Sequence, residues 1–276
     1  MDLKSYIESE VAEEARAHAT SKPVSRAAHG GGYPGAADVY VSDSEVDVAR
    51  LRLSDSDVEQ LVYLARPSAG KPAPGVLVIH ENKGLTPYIE NVARRLAQHG
   101  YVAMAPDLLS GAGGTSAFDQ PAHATAALAE IPAEDIVANV RRVLTQLADR
   151  DDVCSDRLGI VGFCYGGGVA WRVLTQEPRL RAGVPFYGPI PELTAVPGIQ
   201  ASVLALYGES DERITAMLPA IEDAMTRHEK RFEAMVLPGA AHAFHNDANP
   251  DRYNDVAAHA AWARALDWLD RWLKGA

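Results

Sequence analysis

The short sequence Gly162-Phe-Cys-Tyr-Gly166 constrains the fold more than any other stretch of the chain. An apolar strand pattern at 157–161 precedes it, and a helical pattern at 167–174 follows it. Small residues two positions before and after a central residue let the strand and the helix approach closely, while the central residue takes a strained conformation that projects its side chain outward. The sequence therefore predicts a strand, a tight turn and a helix, with the thiol of Cys164 at the tip of the turn.

Apolar runs typical of buried strands alternate with helical patterns along the rest of the chain. The predicted strands are 46–53, 58–64, 75–79, 101–105, 157–161, 182–187, 202–207 and 230–237, and the predicted helices are 86–100, 133–148, 167–174, 214–227 and 253–273. The segment 108–122 is rich in Gly, Ser and Ala and is predicted to be a surface loop. The alternation favours an α/β fold, with a doubly wound, mainly parallel sheet and helices on both faces.

The beginning of the chain has a different character. Residues 1–45 are predicted to be an N-terminal extension, made of a helix over 2–19 and a Gly/Pro-rich connector, and residues 46–276 a single α/β domain. The apolar face of the helix comprises Leu3, Tyr6, Ile7 and Val11 and needs a partner. We favour an extension that folds over its own domain, and contact with another subunit is the alternative. The sequence therefore leaves a homodimer as one of the two alternatives.

Charge and composition exclude several classes of protein. A net charge of -11, without a run rich in Lys or Arg, argues against nucleic acid as a partner. No apolar run reaches the roughly 20 residues that a membrane-spanning helix needs, and the first residues lack the pattern of a signal peptide. Only 2 cysteines occur, so a disulfide framework is not indicated. We expect a cytoplasmic protein that binds neither nucleic acid nor a membrane.

Two segments downstream of Cys164 supply the other groups that a nucleophile on such a turn needs. A base takes the proton of the nucleophile and an acid orients the base, in the chain order nucleophile, acid, histidine. Asp211 follows the predicted strand 202–207, and His242 follows the predicted strand 230–237. Residues that follow parallel strands gather at one edge of the sheet. The sequence therefore predicts a catalytic triad of Cys164, Asp211 and His242.

These segments resemble the dienelactone hydrolase (carboxymethylenebutenolidase) family of α/β-hydrolases. The resemblance rests on Gly162-Phe-Cys-Tyr-Gly-Gly167, Gly208-Glu-Ser-Asp211, Gly239-Ala-Ala-His-Ala-Phe244, His80-Glu81 and Ala105-Pro-Asp-Leu108. It extends over residues 46–273 and leaves residues 1–45 outside. It implies a hydrolase that cleaves a small ester or lactone through an acyl-enzyme on Cys164. We expect neither a cofactor nor a metal, since a thiol triad requires no ion.

The resemblance also implies roles for three residues around the thiol. Glu81 would hold the thiol as a neutral SH group or accept its proton, so that the thiolate forms mainly when substrate displaces this contact. The backbone N–H groups of Asn82 and Tyr165 would form the oxyanion hole. A buried ion-pair partner is the alternative role for Glu81.

The sequence departs from the family where substrate would bind. Family members that act on dienelactone hold the substrate carboxylate with arginines, one in the loop after Ala-Pro-Asp-Leu and one four residues after the catalytic histidine. Here the loop 109–120 has no arginine and the second position is Asn246, so uncharged or differently charged esters become better candidates. The candidate pocket residues are Lys83, Tyr88, Tyr187, Phe244 and Asn246. Lys83 is equally typical of a solvated side chain, and aromatic residues near strand ends are more often part of the core.

Simpler explanations exist for each residue of the triad. A cysteine after a strand is usually a small buried hydrophobe, and Asp211 stands where a helix cap is expected, with Glu209 and Glu212 as rival acids. The rival histidines are His80 and His245. Two other functions stay open: a thiolate that also acts on phosphoryl esters such as phosphotriesters, and a non-catalytic binding protein of α/β-hydrolase fold. The complete set of triad residues favours catalysis.

Overall fold

The computed structural model describes residues 2–20, 45–54 and 59–275. The helices are α1 (Leu3–Thr20), α2 (Pro87–Gln98), α3 (Pro121–Ala129), α4 (Ala133–Ala148), α5 (Tyr165–Leu174), α6 (Glu212–Thr215), α7 (Leu218–Arg227) and α8 (Asp255–Leu269). The strands are β1 (Val46–Leu53), β2 (Gln60–Pro67), β3 (Ala73–Ile79), β4 (Val102–Pro106), β5 (Val153–Phe163), β6 (Leu180–Phe186), β7 (Ser202–Gly208) and β8 (Phe232–Leu237). Short 3-10 turns lie at Ser110–Ala112, Thr115–Ala117 and Leu193–Gly198, and a π-helical turn over Asp270–Lys274 follows α8.

The strands form one sheet in the order β1-β2-β4-β3-β5-β6-β7-β8. Strand β2 pairs antiparallel with β1 and β4, and the remaining neighbours are parallel. Strands β3, β4 and β7 are buried along their whole length, as expected where helices cover both faces of a parallel sheet. The predicted doubly wound, mainly parallel α/β fold is confirmed.

The direction of the parallel strands brings the predicted site residues together. Strand β3 ends just before Glu81, β5 ends at the residue before Cys164, and β7 and β8 end shortly before Asp211 and His242. Since these strands all run the same way, the loops at their carboxyl ends meet at one edge of the sheet. The candidate site lies at this edge.

Helix α1 packs against α3 and α5, so the described part of the extension folds over its own domain. The buried face of α1 differs from the predicted one, because Val11 is 49% exposed whereas Glu10 is only 7% exposed. Most of the connector lies outside the described residues. The division into an extension of 1–45 and a domain of 46–276 stays a prediction.

Two local predictions were wrong. The end of the segment 108–122 begins α3, because Pro121 suits the first turn of a helix. The predicted helix over 214–227 is two helices, since Pro219 lacks an N–H group and fits only the first turn of α7. The tip of the predicted hairpin between β1 and β2 falls outside the described residues. Among the described helices, none combines the length and the apolar character needed to cross a membrane.

Candidate active site

Cys164 lies on a strained turn between β5 and α5. Its φ is 54° and its ψ is -117°, a conformation that is rare for a residue with a side chain and that persists only where the surrounding structure enforces it. The two flanking glycines permit the turn. A Cβ atom on Gly162 would lie 2.0 Å from the carbonyl oxygen of Gly166, and one on Gly166 would lie 2.3 Å from that of Ile79. The predicted strand, turn and helix are therefore present.

Asp211 and His242 meet beside this turn. The Oδ2 atom of Asp211 lies 2.5 Å from Nδ1 of His242, and both side chains are buried. Asp211 precedes α6 as its N-cap residue, but the described structure gives its side chain no capping hydrogen bond. Of the rival acids, Glu209 is exposed and accepts a hydrogen bond from the N–H of Gly239, and Glu212 is also exposed.

The other ring nitrogen of His242 faces the thiol. A ring nitrogen of His242 and Sγ of Cys164 lie within 4.8 Å of one another. Burial disfavours the charged ring, but a negative charge on Cys164 and the hydrogen bond to Asp211 outweigh it and raise the pKa of His242 to about 10. The arrangement therefore favours a protonated imidazole next to the thiol.

Two side chains of α1 reach the same atoms. The hydroxyl of Tyr6 lies 3.5 Å from Sγ of Cys164 and 3.3 Å from Nε2 of His242. The Oε2 atom of Glu10 lies 3.9 Å from this Sγ and 3.4 Å from this Nε2. Burial, and then a charge on Cys164, raise the pKa of Tyr6 well above its usual value, so its hydroxyl stays neutral and able to donate. The N-terminal helix thus forms one wall of the site.

Arg213 of α6 holds Glu10 in this position. Its guanidinium forms an ion pair with Oε1 of Glu10 and donates a hydrogen bond to Oγ of Ser9 at 2.5 Å. It also lies over the ring of Tyr6, at 4.8 Å from the ring centre. The three contacts fasten one turn of α1 to the loop that carries Asp211. The buried carboxylate of Glu10 is thereby held next to the thiol.

Glu81 lies on the other side of a small cavity beside Cys164. Its Oε2 atom accepts a hydrogen bond from Nδ2 of Asn246 at 2.6 Å. The cavity has a volume of ≈ 40 Å³ and is lined by both carboxylates, Glu10 and Glu81, together with Asn82, Lys83, Cys164, His242, Ala243, Asn246, Asn249 and Arg252. Lys83 and Asn246 therefore reach the predicted pocket. The role of Glu81 as a thiol modulator stays a prediction.

The predicted oxyanion donors are next to the thiol in the fold. Tyr165 is the first residue of α5, and the first N–H groups of a helix have no partner within the helix. Asn82 lies in the loop after β3, and its side chain is buried in the lining of the cavity. Their role as oxyanion donors stays a prediction.

The three predicted aromatic pocket residues, Tyr88, Tyr187 and Phe244, do not line the cavity. The ring of Tyr187 packs edge-on against His242 at 5.1 Å and against Phe244 at 5.3 Å. The hydroxyl of Tyr88 is 2.7 Å from Nδ1 of His245. These side chains are buried. Their position matches the alternative of core packing better than direct contact with substrate.

The rival histidines have other partners. His80 is fully buried, with Nδ1 at 2.6 Å from the carbonyl oxygen of Glu81 and Nε2 accepting from the N–H of Leu108 at 3.0 Å. His245 is buried among aromatic rings, and burial lowers its pKa to about 3. Both imidazole rings are hydrogen-bonded in the core, and none of their hydrogen bonds described above involves Cys164.

The sequence did not identify Tyr6, Glu10, Arg213 and Arg252 as site residues. One signal for Glu10 was present, because it follows Tyr6 by four positions and Ile7 by three and so falls on the apolar face of the helix. A carboxylate at such a position needs a partner. The two positions considered for an anion-binding arginine do lack one, but Arg252 reaches the cavity from a different loop.

Comparisons with known proteins agree with this fold. The model of the dienelactone hydrolase family matches residues 61–273. A protein of Methylorubrum extorquens, provisionally named carboxymethylenebutenolidase, is 31% identical over 219 residues, which cover 75% of this chain and 75% of that protein. A protein of Salmonella typhimurium with the same provisional name is 30% identical over 244 residues, or 84% of this chain and 90% of its own length.

Solved structures show the same architecture. A crystal structure from Klebsiella pneumoniae, provisionally named dienelactone hydrolase, has a TM-score of 0.75 and 28% identity, covering 82% of this chain and 99% of that one. A dienelactone hydrolase-like promiscuous phosphotriesterase from metagenomic libraries has a TM-score of 0.69 at 21% identity, covering 83% of this chain and 99% of its own, and is similar in fold. The chain belongs to the dienelactone hydrolase family.

Proposed function

We propose that the protein is a cysteine hydrolase that cleaves small esters or lactones through Cys164, His242 and Asp211. The observation that carries this proposal is the contact of 2.5 Å between Asp211 and His242, next to a thiol on a strained turn. Asp211 orients the imidazole through Nδ1, which leaves Nε2 toward the thiol as the group that exchanges protons. Family membership supports the same class of reaction.

Acylation begins with attack of the Cys164 thiolate on the carbonyl carbon of the substrate. As the C–S bond forms, the carbonyl electron pair moves onto oxygen, and the N–H groups of Asn82 and Tyr165 bind the resulting oxyanion. The tetrahedral intermediate collapses by breaking the bond between carbon and the leaving oxygen. His242, as imidazolium, gives its proton to that oxygen. An ester releases an alcohol, whereas a lactone keeps the new hydroxyl on the acyl group.

Deacylation uses the same groups in the opposite sense. Neutral His242 takes a proton from water through Nε2, and the hydroxide attacks the thioester carbon. The C–S bond then breaks, which releases the carboxylic acid and restores the thiolate beside the imidazolium. Asp211 holds the ring in the tautomer that this proton transfer needs.

Substrate entry requires a movement of α1. The cavity beside Cys164 has a volume of ≈ 40 Å³, whereas pockets that bind small molecules usually measure roughly 300–1,000 Å³. Tyr6 and Glu10 occupy the space on the open side of the thiol. We infer that the described arrangement is a closed state, and that α1 withdraws at this turn when substrate binds.

The hydrolysis of 4-nitrophenyl acetate by purified variants tests the proposal. Cys164→Ala is expected to reduce kcat/KM by at least about a thousandfold, whereas Cys154→Ala should leave it unchanged, because Cys154 is half-buried at the far end of β5. Full activity in Cys164→Ala would refute the cysteine mechanism. If the wild type were inactive and iodoacetamide labelled Cys164 no faster than Cys154, the non-catalytic binding function would be favoured.

A panel of carboxyl esters, lactones and phosphotriesters distinguishes the main proposal from activity on phosphoryl esters. The main proposal predicts turnover of the first two classes. Turnover of a phosphotriester that is lost in Cys164→Ala would extend the same thiolate chemistry to phosphorus. Inertness toward every phosphoester would remove that second function.

A further inference from the structure

We propose that Cys164, His242 and Glu10 form a binding site for Zn²⁺, and that the ion holds the enzyme closed. The proposal goes beyond the hydrolytic function, on which only its inhibitory consequence rests. Sulfur, imidazole nitrogen and carboxylate oxygen are the three ligand types that zinc prefers. Within the described residues, their ligand atoms all lie within 4.8 Å of one another, and the three side chains are buried.

Two of the distances between ligand atoms are close to those of a tetrahedral zinc site. Typical bond lengths to sulfur, nitrogen and oxygen place the sulfur and the oxygen about 3.5 Å apart, and the nitrogen and the oxygen about 3.3 Å apart. Here Sγ of Cys164 lies 3.9 Å from Oε2 of Glu10. Nε2 of His242 lies 3.4 Å from the same oxygen. Shifts of a few tenths of an ångström bring these two pairs of atoms to the separations found around one zinc ion.

The hydroxyl of Tyr6 lies beside two of these ligand atoms and is the candidate for a fourth ligand. This oxygen lies 3.5 Å from Sγ of Cys164 and 3.3 Å from Nε2 of His242. Both distances equal the ligand-to-ligand separations expected around zinc. As a neutral oxygen, the Tyr6 hydroxyl is a weaker ligand than the carboxylate of Glu10. We therefore expect it to contribute less to the affinity.

A second layer of contacts already orients two of the ligands. A histidine that binds a metal through one ring nitrogen usually donates its other N–H group to a carboxylate, and Nδ1 of His242 is 2.5 Å from Asp211. The ligating oxygen of Glu10 is Oε2, while its Oε1 is paired with Arg213. Such partners fix the ligand atoms before the ion arrives, which strengthens binding.

The ion would inhibit the enzyme in two ways. It takes the electron pairs of Sγ and Nε2, so that neither the nucleophile nor the base is free. Its third ligand belongs to α1, so it also holds Tyr6 and Glu10 over the thiol. The site needs no redox step, and the proton shared by Cys164 and His242 leaves to solvent. Sulfur and nitrogen ligands favour zinc over Mg²⁺ or Ca²⁺, which prefer oxygen.

Zinc binding to the reduced, full-length protein tests the proposal by titration calorimetry with ZnCl₂. We expect one tight site per chain, an affinity at least tenfold lower in Glu10→Gln, and loss of the site in Cys164→Ser. Cys154→Ser is the matched control and should bind as the wild type does. Tyr6→Phe should weaken binding by less than Glu10→Gln.

A second measurement identifies the ligands without using activity. Co²⁺ in place of zinc should give a thiolate-to-metal absorption band that Cys164→Ser abolishes and Cys154→Ser keeps. Zinc should also raise the melting temperature of the wild type by several degrees and that of Glu10→Gln by less. Equal zinc affinity in the wild type and Glu10→Gln, or no tight site in the wild type, would overturn the proposal.

The inhibitory consequence is measured separately. Zinc should abolish hydrolysis of 4-nitrophenyl acetate by the wild type, and a chelator should restore it. If the wild type binds zinc as described but hydrolyses no ester without zinc, the proposed hydrolytic function fails and the metal site stands. If it hydrolyses esters and zinc has no effect, the metal proposal fails and the hydrolytic function stands.

Discussion

The carboxylate of Glu10 lies 3.4 Å from Nε2 of His242, although one residue belongs to the N-terminal helix and the other to the loop after β8. Two carboxylates therefore contact one imidazole, since Asp211 lies at Nδ1. The contact to Asp211 orients the ring. The contact to Glu10 occupies Nε2, the nitrogen that would exchange protons with the thiol and the substrate. The same buried histidine is thus positioned for catalysis and covered by α1.

Replacement of the orienting carboxylate should have a large effect on turnover. In Asp211→Asn the amide no longer stabilises an imidazolium, and it favours the wrong ring tautomer. We expect kcat to fall by about a hundred- to ten-thousandfold, with a smaller change in KM. Steady-state kinetics with an activated ester measure the effect. Glu209→Gln is the matched control, because Glu209 is exposed, and it should retain nearly full activity.

A smaller side chain at Tyr6 should uncover the thiol. In Tyr6→Ala the ring that separates Cys164 from α1 is gone, so bulky reagents reach Sγ. We expect maleimide labelling of Cys164 to be at least several-fold faster than in the wild type, as measured by mass spectrometry after short reaction times. Cys154 in the same molecule is the internal standard. Equal Cys164 labelling rates in the two proteins would contradict the closed state.

The sheet and the positions of three site residues were predictable because they depend on local patterns. The turn around Cys164 requires glycine at fixed spacing, and Asp211 and His242 follow strands whose apolar runs are easily read. The strands then determine where the loops meet, so no information on side-chain contacts was needed.

The wall formed by α1 was not predictable in the same way. Tyr6 and Glu10 contact the thiol only because the helix docks on α3 and α5 after a long connector, and helical periodicity does not specify a docking site. Arg213 was missed for a related reason. It interacts with Glu10, so its role depends on a contact between distant segments.

Acid should destabilise the protein through His245. Burial, and then the charges of Arg95 and His259, lower the pKa of His245 to about 3, so the folded protein keeps this ring neutral. In the unfolded chain the ring has its ordinary pKa of about 6.5. The unfolded state therefore binds one more proton between about pH 6.5 and pH 3, and the free energy of unfolding falls by up to about 1.4 kcal/mol per pH unit in this window.

Urea denaturation at a series of pH values measures this slope. The variant His245→Phe places a similar ring among the aromatic neighbours and has no proton to take up. We expect its free energy of unfolding to depend less steeply on pH below 6.5 than that of the wild type, whatever its absolute stability. His80 contributes with the same sign, because burial lowers its pKa as well, so some slope should remain. Parallel pH profiles for the two proteins would show that His245 does not account for the effect.

The turn around Cys164 should tolerate no side chain at Gly166. A Cβ atom there would lie 2.3 Å from the carbonyl oxygen of Ile79 and 2.4 Å from that of His80, so β3 and α5 must separate. We expect Gly166→Ala to lose about 3 kcal/mol of unfolding free energy in urea, the upper end of the usual cost of overpacking, or to accumulate as insoluble protein. Gly70→Ala is the control, because Gly70 has a φ of +52° and nothing within 4 Å of an added Cβ. Gly70→Ala should therefore lose only the unfolding free energy that a left-handed backbone costs a residue with a side chain, about 1 kcal/mol. Similar losses in the two variants would mean that the close approach of β3 and α5 does not hold the thiol in place.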